Sequence, residues 1–459
     1  MSAQQTLTAG KPMPIILKFF LPLFIGNVFQ QLYNMVDTII VGHYVGTGAL
    51  AAVGSTGTIM FLIMGFAIGM TTGFTVITAQ KFGAEDIEGV KRSVANGFLL
   101  SIITIVILTV ASVAFMHPLL HVMNTPADIY DDAYSYIITI CYGSFALVFY
   151  NLFSAYCRAM GNSKVPLFFL VFSAILNVIL DLVFIINFKL GVMGAALATD
   201  CAQGVSAVLC LIYILKKFQI LVPRREHWYL SWHMTRKQLN VAVPMALQFA
   251  ITASGTMIMQ TAINLFGSEA VAAFTASSKL CNLVTQGFPS IGQTMATYVG
   301  QNYGKGDLKR IHQGVRSAMV LTVIYAIVSG ILMIVFLRPA LTMFFEAGVD
   351  IDAMIVWAKP YVYMAAACFI PLGMIFIFRN TMQGCGRGLL PLMGGVVEFV
   401  ARLVAAAISM KIMSYTLAVA CDPLAWIAAG IYTLVAYLFM MRSLEKNFEE
   451  KRAELNRAN

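Results

Sequence analysis

The chain has 459 residues, of which 59% are hydrophobic and only 11% are charged. Soluble domains carry about 25% charged residues, so this composition cannot supply polar surfaces for several soluble domains, and most of the surface is expected to face lipid. The net charge of +9 does not indicate a nucleic-acid partner, because the basic residues lie in short connections between apolar segments, where a bilayer accounts for them.

Apolar segments long enough to cross a membrane follow one another through the whole chain. A spanning helix needs about 20 predominantly apolar residues. The pattern predicts an all-α membrane protein with twelve transmembrane helices, at roughly 15–43, 49–80, 93–116, 133–159, 166–187, 191–216, 239–266, 270–300, 314–337, 353–380, 389–411 and 422–441.

Eight cysteines and six histidines are spread singly along the chain. No two cysteines form a CxxC pair, and the histidines are dispersed through loops and helix ends. The spacing therefore predicts free, mostly buried thiols and no resident metal or other cofactor. The polar stretch MSAQQTLTAGKPMP lacks the layout of a signal peptide, so the first apolar segment is expected to be retained.

Basic residues are concentrated on one side of the predicted topology. The termini and the connections after the second, fourth, sixth, eighth and tenth helices hold 24 of the 30 lysines and arginines. The opposite connections hold four, and two lie within helices. This bias places both termini in the cytoplasm and the chain in the inner (cytoplasmic) membrane as a multi-pass protein.

Two short sequences recur in the second half of the chain, in the same order and at nearly the same separation. QKFGAEDI at 80–87 recurs as QNYGKGDL at 301–308. The segment 158–166 is matched by 383–391, and both end in proline. Because polar loop residues match in order, we interpret the pattern as an internal repeat. Six helices per copy give two parallel copies, which predicts two pseudo-symmetric six-helix bundles facing a central cavity.

The repeat sets the predicted domain organisation. A paired bundle suits alternating access, whereas a channel needs no such pair and a receptor of seven helices does not fit the count. The predicted parts are a cytoplasmic N-terminal tail at 1–14, an N-lobe at 15–216, a cytoplasmic linker at 217–238, a C-lobe at 239–441 and a cytoplasmic C-terminal tail at 442–459.

Ionisable side chains within the hydrocarbon are costly and usually functional. Asp37 on the first helix and Asp181 on the fifth are such residues, and Asn177 precedes Asp181 by one turn. Two carboxylates in one low-dielectric site cannot both ionise without a counter-ion, so the pair is suited to binding H⁺ or Na⁺. Polar residues recur every three or four positions along the first helix, at Asn27, Gln30, Gln31, Asn34, Asp37 and Thr38.

Several stretches resemble one transporter family. The first helix and the turn after it read QQLYNMVDTIIVGHYVGTGALAAVG at 30–54, and QKFGAED, its copy YVGQNYGKGD, and RAMGNSKVP at 158–166 fit the same family pattern. The ordered set resembles the multidrug and toxic compound extrusion (MATE) family of antiporters over roughly 15–442. The resemblance implies a two-lobed fold that exports organic cations in exchange for H⁺ or Na⁺.

Within this family the chain is similar to the DinF-like branch, in which a cation site lies in the N-terminal lobe. That resemblance assigns cation coupling to Asp37, Asn177, Asp181 and Thr199, and less directly to Asn151. The first four would also be the ligands of a bound Na⁺, because hard oxygen donors suit it. The alternative is that these polar groups only hydrogen-bond between helices.

Asp200 adjoins Thr199 but lies about 100° around the helix, so it is expected to be partly exposed, near the outer end of the sixth helix. In the second half, Met259 stands at the repeat equivalent of Asp37, which favours an N-lobe site and the DinF-like branch.

Glu398 and Arg402 are spaced i, i+4 on the eleventh helix. We expect an internal ion pair in the C-lobe, with substrate binding as the alternative.

Polar and aromatic side chains on the first and seventh helices are candidates for a substrate cavity. They are Gln30, Tyr33, Asn34, Gln248, Thr252 and Gln260.

The sequence thus predicts a secondary antiporter that exports cationic amphiphiles or drugs, with the coupling ion bound in the N-lobe. A lipid-linked precursor flippase or other metabolite exporter of the same superfamily is the alternative, although the acidic or neutral stripe of the first half disfavours a pyrophosphate. No GxxxxGK[ST] loop and no histidine dyad occur, so no enzyme is expected. The expected partners are a small cationic substrate and the lipid bilayer, and family precedent implies a monomer.

Overall fold

A computed structural model of the chain describes residues 6–123, 125–345 and 350–458. Every regular element in these three ranges is helical. The chain forms two compact units, one built mainly from Lys18–Ala250 and the other from Ile251 onward together with Gly10–Leu17. Residues 1–5 and Asn459 of the predicted tails lie outside the described residues, and the lobe boundaries drawn from the sequence stay predictions.

The helices of the first half follow the predicted segments, with short breaks. They are α1 (Pro12–Tyr44), α2 (Thr47–Ser55), α3 (Gly57–Gly83), α4 (Ile87–Val122), α5 (Tyr130–Tyr142), α6 (Ser144–Ala159), α7 (Lys164–Leu182) and α8 (Gly191–Lys217). A π-helical turn, Val183–Asn187, follows α7 directly. Two 3₁₀ turns, Gln219–Leu221 and Arg225–His227, connect α8 to α9 (Trp232–Asn264).

The helices of the second half follow the same order. They are α10 (Ser268–Val284), α11 (Gly287–Lys305), α12 (Leu308–Val335), α13 (Leu337–Phe344), α14 (Ile351–Ala367), α15 (Phe369–Gly384), α16 (Leu389–Ile412), α17 (Tyr415–Val419) and α18 (Cys421–Ala458).

Nine helices of the described chain are long and apolar enough to cross a membrane, and two bent pairs raise that number to as many as eleven. The bent pairs are α5–α6 and α14–α15, which turn by 48° and 47°. The predicted segment 270–300 is divided between α10 and α11, which are interrupted at 285–286. At 17 residues, α10 is shorter than a full span.

The two halves repeat each other in backbone detail. Gly161 and Gly386 occupy equivalent positions in the repeat and adopt φ values of 78° and 80°. Each ends a helix in the left-handed region, which glycine adopts without steric cost. Asp86 and Asp307 are a second equivalent pair, and they cap the following helices by accepting from the N–H of Gly89 (2.8 Å) and Arg310 (2.9 Å). The structure therefore supports the internal repeat with main-chain geometry.

Small residues let helices approach closely inside the first unit. Gly69 on α3 faces Ala246 on α9, and a Cβ at position 69 would lie 2.6 Å from the Ala246 backbone. Gly65 and Gly73 lie one turn to either side and contact the same helix. Small residues at four-residue spacing are a common way to pack membrane helices, because they admit close van der Waals contact between backbones.

Large apolar side chains lie on outer surfaces as well as in the cores. Phe168 is 66% exposed, and Val110 and Val356 are 62% and 70% exposed. A soluble protein would hide such residues, whereas lipid is a favourable solvent for them. Buried polar and charged side chains are the exceptions to this pattern, and they are therefore the candidates for a functional site.

Candidate functional site

The α7 helix carries the centre of the candidate site. Its start is fixed by Asn162, whose side-chain oxygen accepts from the backbone N–H groups of Lys164 and Val165, both at 3.1 Å. One turn apart further along the helix, Asn177 and Asp181 are 1% and 0% exposed. The π-helical turn begins shortly after Asp181. Such wide turns are rare and often occur beside functional groups.

Asn177 links Asp181 to α8. In the amide orientation that pairs every donor with an acceptor, Asn177 donates to Asp181 Oδ2 at 3.1 Å. Its oxygen then accepts from the backbone N–H and the hydroxyl of Thr199, at 3.1 and 3.3 Å. The structure thus brings three of the four predicted residues into one hydrogen-bonded cluster.

Asp37, the fourth residue, approaches this cluster from α1. Its carboxyl group and that of Asp181 lie within hydrogen-bonding range of each other. Oδ1 of Asp37 and Oδ1 of Asp181 are both buried and accept from no donor among the described residues. Buried acceptors without a donor are costly, and a proton or a cation placed between the two groups would satisfy these oxygens.

Two tyrosines border the carboxyl pair. Tyr33, one turn before Asp37 on α1, lies close to Thr199 and to both carboxyl groups. Tyr33 was predicted as a cavity residue, which stays a prediction; in the structure it also lies beside the hydrogen-bonded cluster of Asn177, Asp181 and Thr199. Tyr136 on α5 lies within electrostatic range of Asp37 and Asp181. Nothing in the sequence around Tyr136 distinguishes it from other helix tyrosines, so only the tertiary fold could identify it.

Asn151 and Asp200 lie outside the hydrogen-bonded cluster. The Asn151 amide donates to the Leu147 carbonyl within its own helix, at 2.8 Å. Asp200 on α8 is half-buried, and its carboxyl group packs against Gly143, where α5 and α6 are interrupted. The role predicted for Asn151 stays a prediction, and the structure gives its N–H₂ group a local partner.

The predicted cavity residues are distributed over two helices. Gln30 and Asn34 lie on α1, and the Asn34 carbonyl accepts from the Thr38 hydroxyl at 2.8 Å. On α9, Gln260 donates to Asn264 at 2.8 Å, along the same helix. Gln248 is 8% exposed, and Thr252 lies one turn further along α9. A shared substrate cavity lined by these residues stays a prediction.

The second unit contains a buried cluster of three charged residues. Arg402 on α16 donates through Nη2 to Glu398 and through Nε to Asp422, both at 2.7 Å. The three residues are 3%, 7% and 8% exposed, in that order. The Glu398–Arg402 pair was expected, but Asp422 was missed, because residues on separate helices show no spacing signal. The geometry indicates an internal clamp between α16 and α18.

The fold and the repeat together define a class of protein: a membrane transporter built from two repeated halves, here with a buried carboxyl pair inside one half. The family model MatE matches residues 22–183 and 244–408. The chain therefore belongs to the MATE family of membrane transporters, which are not enzymes.

Similar proteins and structures support this assignment. The chain is 30% identical over 311 residues to the probable multidrug resistance protein YpnP of Bacillus subtilis, covering 66% of this chain and 68% of that protein. It is 25% identical over 354 residues to the probable multidrug resistance protein YoeA of the same organism, covering 75% and 76%. A crystal structure of MATE in the bent conformation superposes with a TM-score of 0.88 at 21% identity, over 96% of this chain and 98% of that one. The predicted fold class, twelve helices in two six-helix bundles, is confirmed.

Proposed function

We propose that this protein is an antiporter that exports lipophilic organic cations in exchange for protons, and that the protons bind at Asp37 and Asp181. The names of the two Bacillus subtilis relatives support an export function. The N-lobe position of the carboxyl pair, with no acid at Met259, supports the DinF-like branch. The observation that carries the proposal is the pair of buried carboxyl oxygens that lack a donor.

A shared proton meets the needs of this pair directly. It removes the repulsion between two carboxylates and supplies the hydrogen that one group donates to the other. Na⁺ would need several free oxygen ligands. In its paired orientation, however, Asn177 already commits its oxygen to both donors of Thr199. The geometry of the cluster therefore favours H⁺ over Na⁺.

The proposed cycle follows from competition between two positive guests. Proton uptake removes one negative charge from the pair and weakens its attraction for a cationic substrate, which leaves to the outside. Release of the proton to the cytoplasm restores the negative charge, and a new cation is attracted. A one-for-one exchange of H⁺ for a monovalent cation moves no net charge, so each pH unit sustains about a tenfold substrate gradient. The orientation, with both termini in the cytoplasm of an inner membrane, rests on the charge bias of the loops.

Transport in reconstituted vesicles tests the proposal. A fluorescent lipophilic cation is followed with either a pH gradient or a Na⁺ gradient imposed alone. We expect transport with the pH gradient alone, and its loss in Asp37→Asn and Asp181→Asn. Asp200→Asn is the matched control, because it removes an acid from the same unit outside the cluster. Transport with Na⁺ alone would overturn proton coupling, and unchanged coupling in both site variants would overturn the site.

A further inference from the structure

A polar cavity of about 260 Å³ lies in the first unit, on the side of the basic connections. It is formed where the turn between α3 and α4 meets the linker before α9. Its acidic and basic lining consists of Lys81, Asp86, Glu88, Arg92, His227, His233 and Lys237. Neither the carboxyl pair nor the predicted substrate residues belong to it.

The acidic groups of this linker pocket already have partners. Lys81 donates to Asp86 at 2.7 Å, and the ring of His227 contacts Glu88 at 2.7 Å. Arg92 and Lys237 make no ion pair within 4.0 Å in the described part of the chain. The lysine and arginine side chains of the lining, Lys81, Arg92 and Lys237, outnumber the carboxylates of Asp86 and Glu88, so the pocket keeps a net positive charge, which suits an anionic guest.

A metal ion does not fit the pocket. Glu88, Glu226 and His227 gather their ligand atoms within 4.8 Å. However, Nδ1 of His227 accepts from the backbone N–H of Arg224 at 2.9 Å. The ring proton therefore lies on Nε2, where it is donated to Glu88, and neither ring nitrogen has a free lone pair.

Apolar side chains alternate along the linker with the residues that line the pocket. The linker reads WYLSW at 228–232, which holds two of the four tryptophans of the chain. Trp228, Leu230 and Trp232 are 45%, 49% and 78% exposed. Trp228 stacks edge-on against Phe98 of α4 at 5.5 Å. Exposed tryptophans beside basic residues are typical of the membrane–water interface.

An apolar path continues from this aromatic group into the membrane. On α4, exposed side chains follow Phe98 at one-turn intervals, at Ile102 (40%) and Val106 (55%). A ligand with a charged end at Arg92 and Lys237 and a hydrocarbon chain along α4 would match the surface at both ends. An anionic phospholipid combines these two chemistries.

We propose that the linker pocket binds the phosphate of an anionic phospholipid headgroup through Arg92 and Lys237, with the acyl chains against Trp228 and the outer face of α4. Basic pockets at the membrane surface recognise such headgroups through the same combination of charge and interfacial aromatic residues. The site lies outside the carboxyl pair and is independent of which ion drives transport. It would tie the linker to the bilayer.

Lipid titration of the purified full chain, read by native mass spectrometry, tests this site. The probes are dioleoylphosphatidylglycerol, dioleoylphosphatidylcholine and free glycerol 3-phosphate. We expect one phosphatidylglycerol to be retained in preference to phosphatidylcholine, with about thirtyfold weaker binding in Arg92→Gln/Lys237→Gln. The matched control is Lys305→Gln/Lys309→Gln, which removes two exposed cations from the repeat-equivalent turn and should bind as the unaltered chain does.

Three outcomes would overturn the proposal. Equal binding of phosphatidylcholine would remove the role of charge. An equal loss in the Lys305→Gln/Lys309→Gln control would show non-specific attraction to the whole basic surface. Displacement of phosphatidylglycerol by an equal concentration of glycerol 3-phosphate would identify a soluble phosphate ester as the ligand. All four substituted side chains are exposed, so folding of the variants is not at issue.

Discussion

Asp37 on α1 and Asp181 on α7 bring their carboxyl groups into hydrogen-bonding range inside the first unit. Residues far apart in sequence thus share one buried environment. Because each keeps an oxygen without a donor, the pair gains from binding a proton or a cation. The other contacts of the site orient this pair, and they can be tested separately.

Asn177 is expected to position Asp181. In Asn177→Ala, Asp181 Oδ2 and the Thr199 hydroxyl both lose their partner, which costs about 1–3 kcal/mol for buried groups. We expect pH-driven transport to fall sharply in reconstituted vesicles and the melting temperature to drop. Asn151→Ala is the comparison, since that amide bonds only to its own helix in the structure. An equal loss of transport in both variants would contradict the special role of Asn177.

The cluster of Glu398, Arg402 and Asp422 in the second unit should stabilise the fold only when all three charged side chains are present. Arg402→Met leaves Glu398 and Asp422 buried together without their cation, and removal of one partner of a buried ion pair costs about 3–5 kcal/mol. Chemical denaturation in micelles measures the loss. Arg338→Met breaks the exposed pair with Asp352, whose side chains are 62% and 72% exposed, and should cost less than about 1 kcal/mol. A similar loss of stability in the two variants would show that the buried cluster contributes no more than an exposed ion pair.

The Lys81 ion pair makes one contribution to stability dependent on pH. The Lys81 ammonium lowers the pKa of Asp86 below its ordinary value. A lowered folded-state pKa contributes stability that is complete above the ordinary pKa, about 3.9, and is lost as the pH falls through the folded-state pKa. Asp86→Asn keeps an N-cap for α4 but removes the pair. We expect its stability to depend less on pH than that of the unaltered chain below about pH 4; parallel curves would refute this.

The two halves should respond alike to substitution of their equivalent glycines. Gly161→Ala and Gly386→Ala each place a Cβ in the left-handed region, which costs about 1–2 kcal/mol. Thermal denaturation should show a similar decrease for both. Gly48→Ala is the control, because that helical glycine has open space around the Cβ position, and alanine favours helix there. A loss of stability at only one of the two equivalent glycines would show that the two turns do not contribute equally to the stability of the fold.

Hydropathy predicted the positions of most helices, because lipid imposes a uniform apolar requirement on every spanning helix. Because every spanning segment is apolar, the sequence does not show where a helix is interrupted or bent. The bends at Gly143 and Cys368 occupy equivalent positions in the repeat. Only the second has a proline close by, Pro371, and the proline of α9, Pro244, lies inside an unbroken helix. Helix breaks of this kind depend on how neighbouring helices pack, so they can be located only from the tertiary structure.

The candidate site was predicted in part for similar reasons. Asn177 and Asp181 are one turn apart, so helix geometry alone places them together. The approach of Asp37 depends on the packing of α1, and its grouping with α7 rested on family resemblance. Tyr136 and Asp422 were missed, because each contacts the relevant residues only through the fold. A polar residue within an apolar segment can be identified as a functional candidate from the sequence. Its contact partners can be identified only from the three-dimensional structure.

Proton release on substrate binding tests the central claim most directly. Purified protein in an unbuffered micellar solution is mixed with tetraphenylphosphonium, a lipophilic cation, and the pH is recorded. If the cation and the proton compete for the carboxyl pair, binding releases protons from the unaltered chain and none from the Asp37→Asn/Asp181→Asn variant. Binding of the cation without any proton release from the unaltered chain would contradict the account.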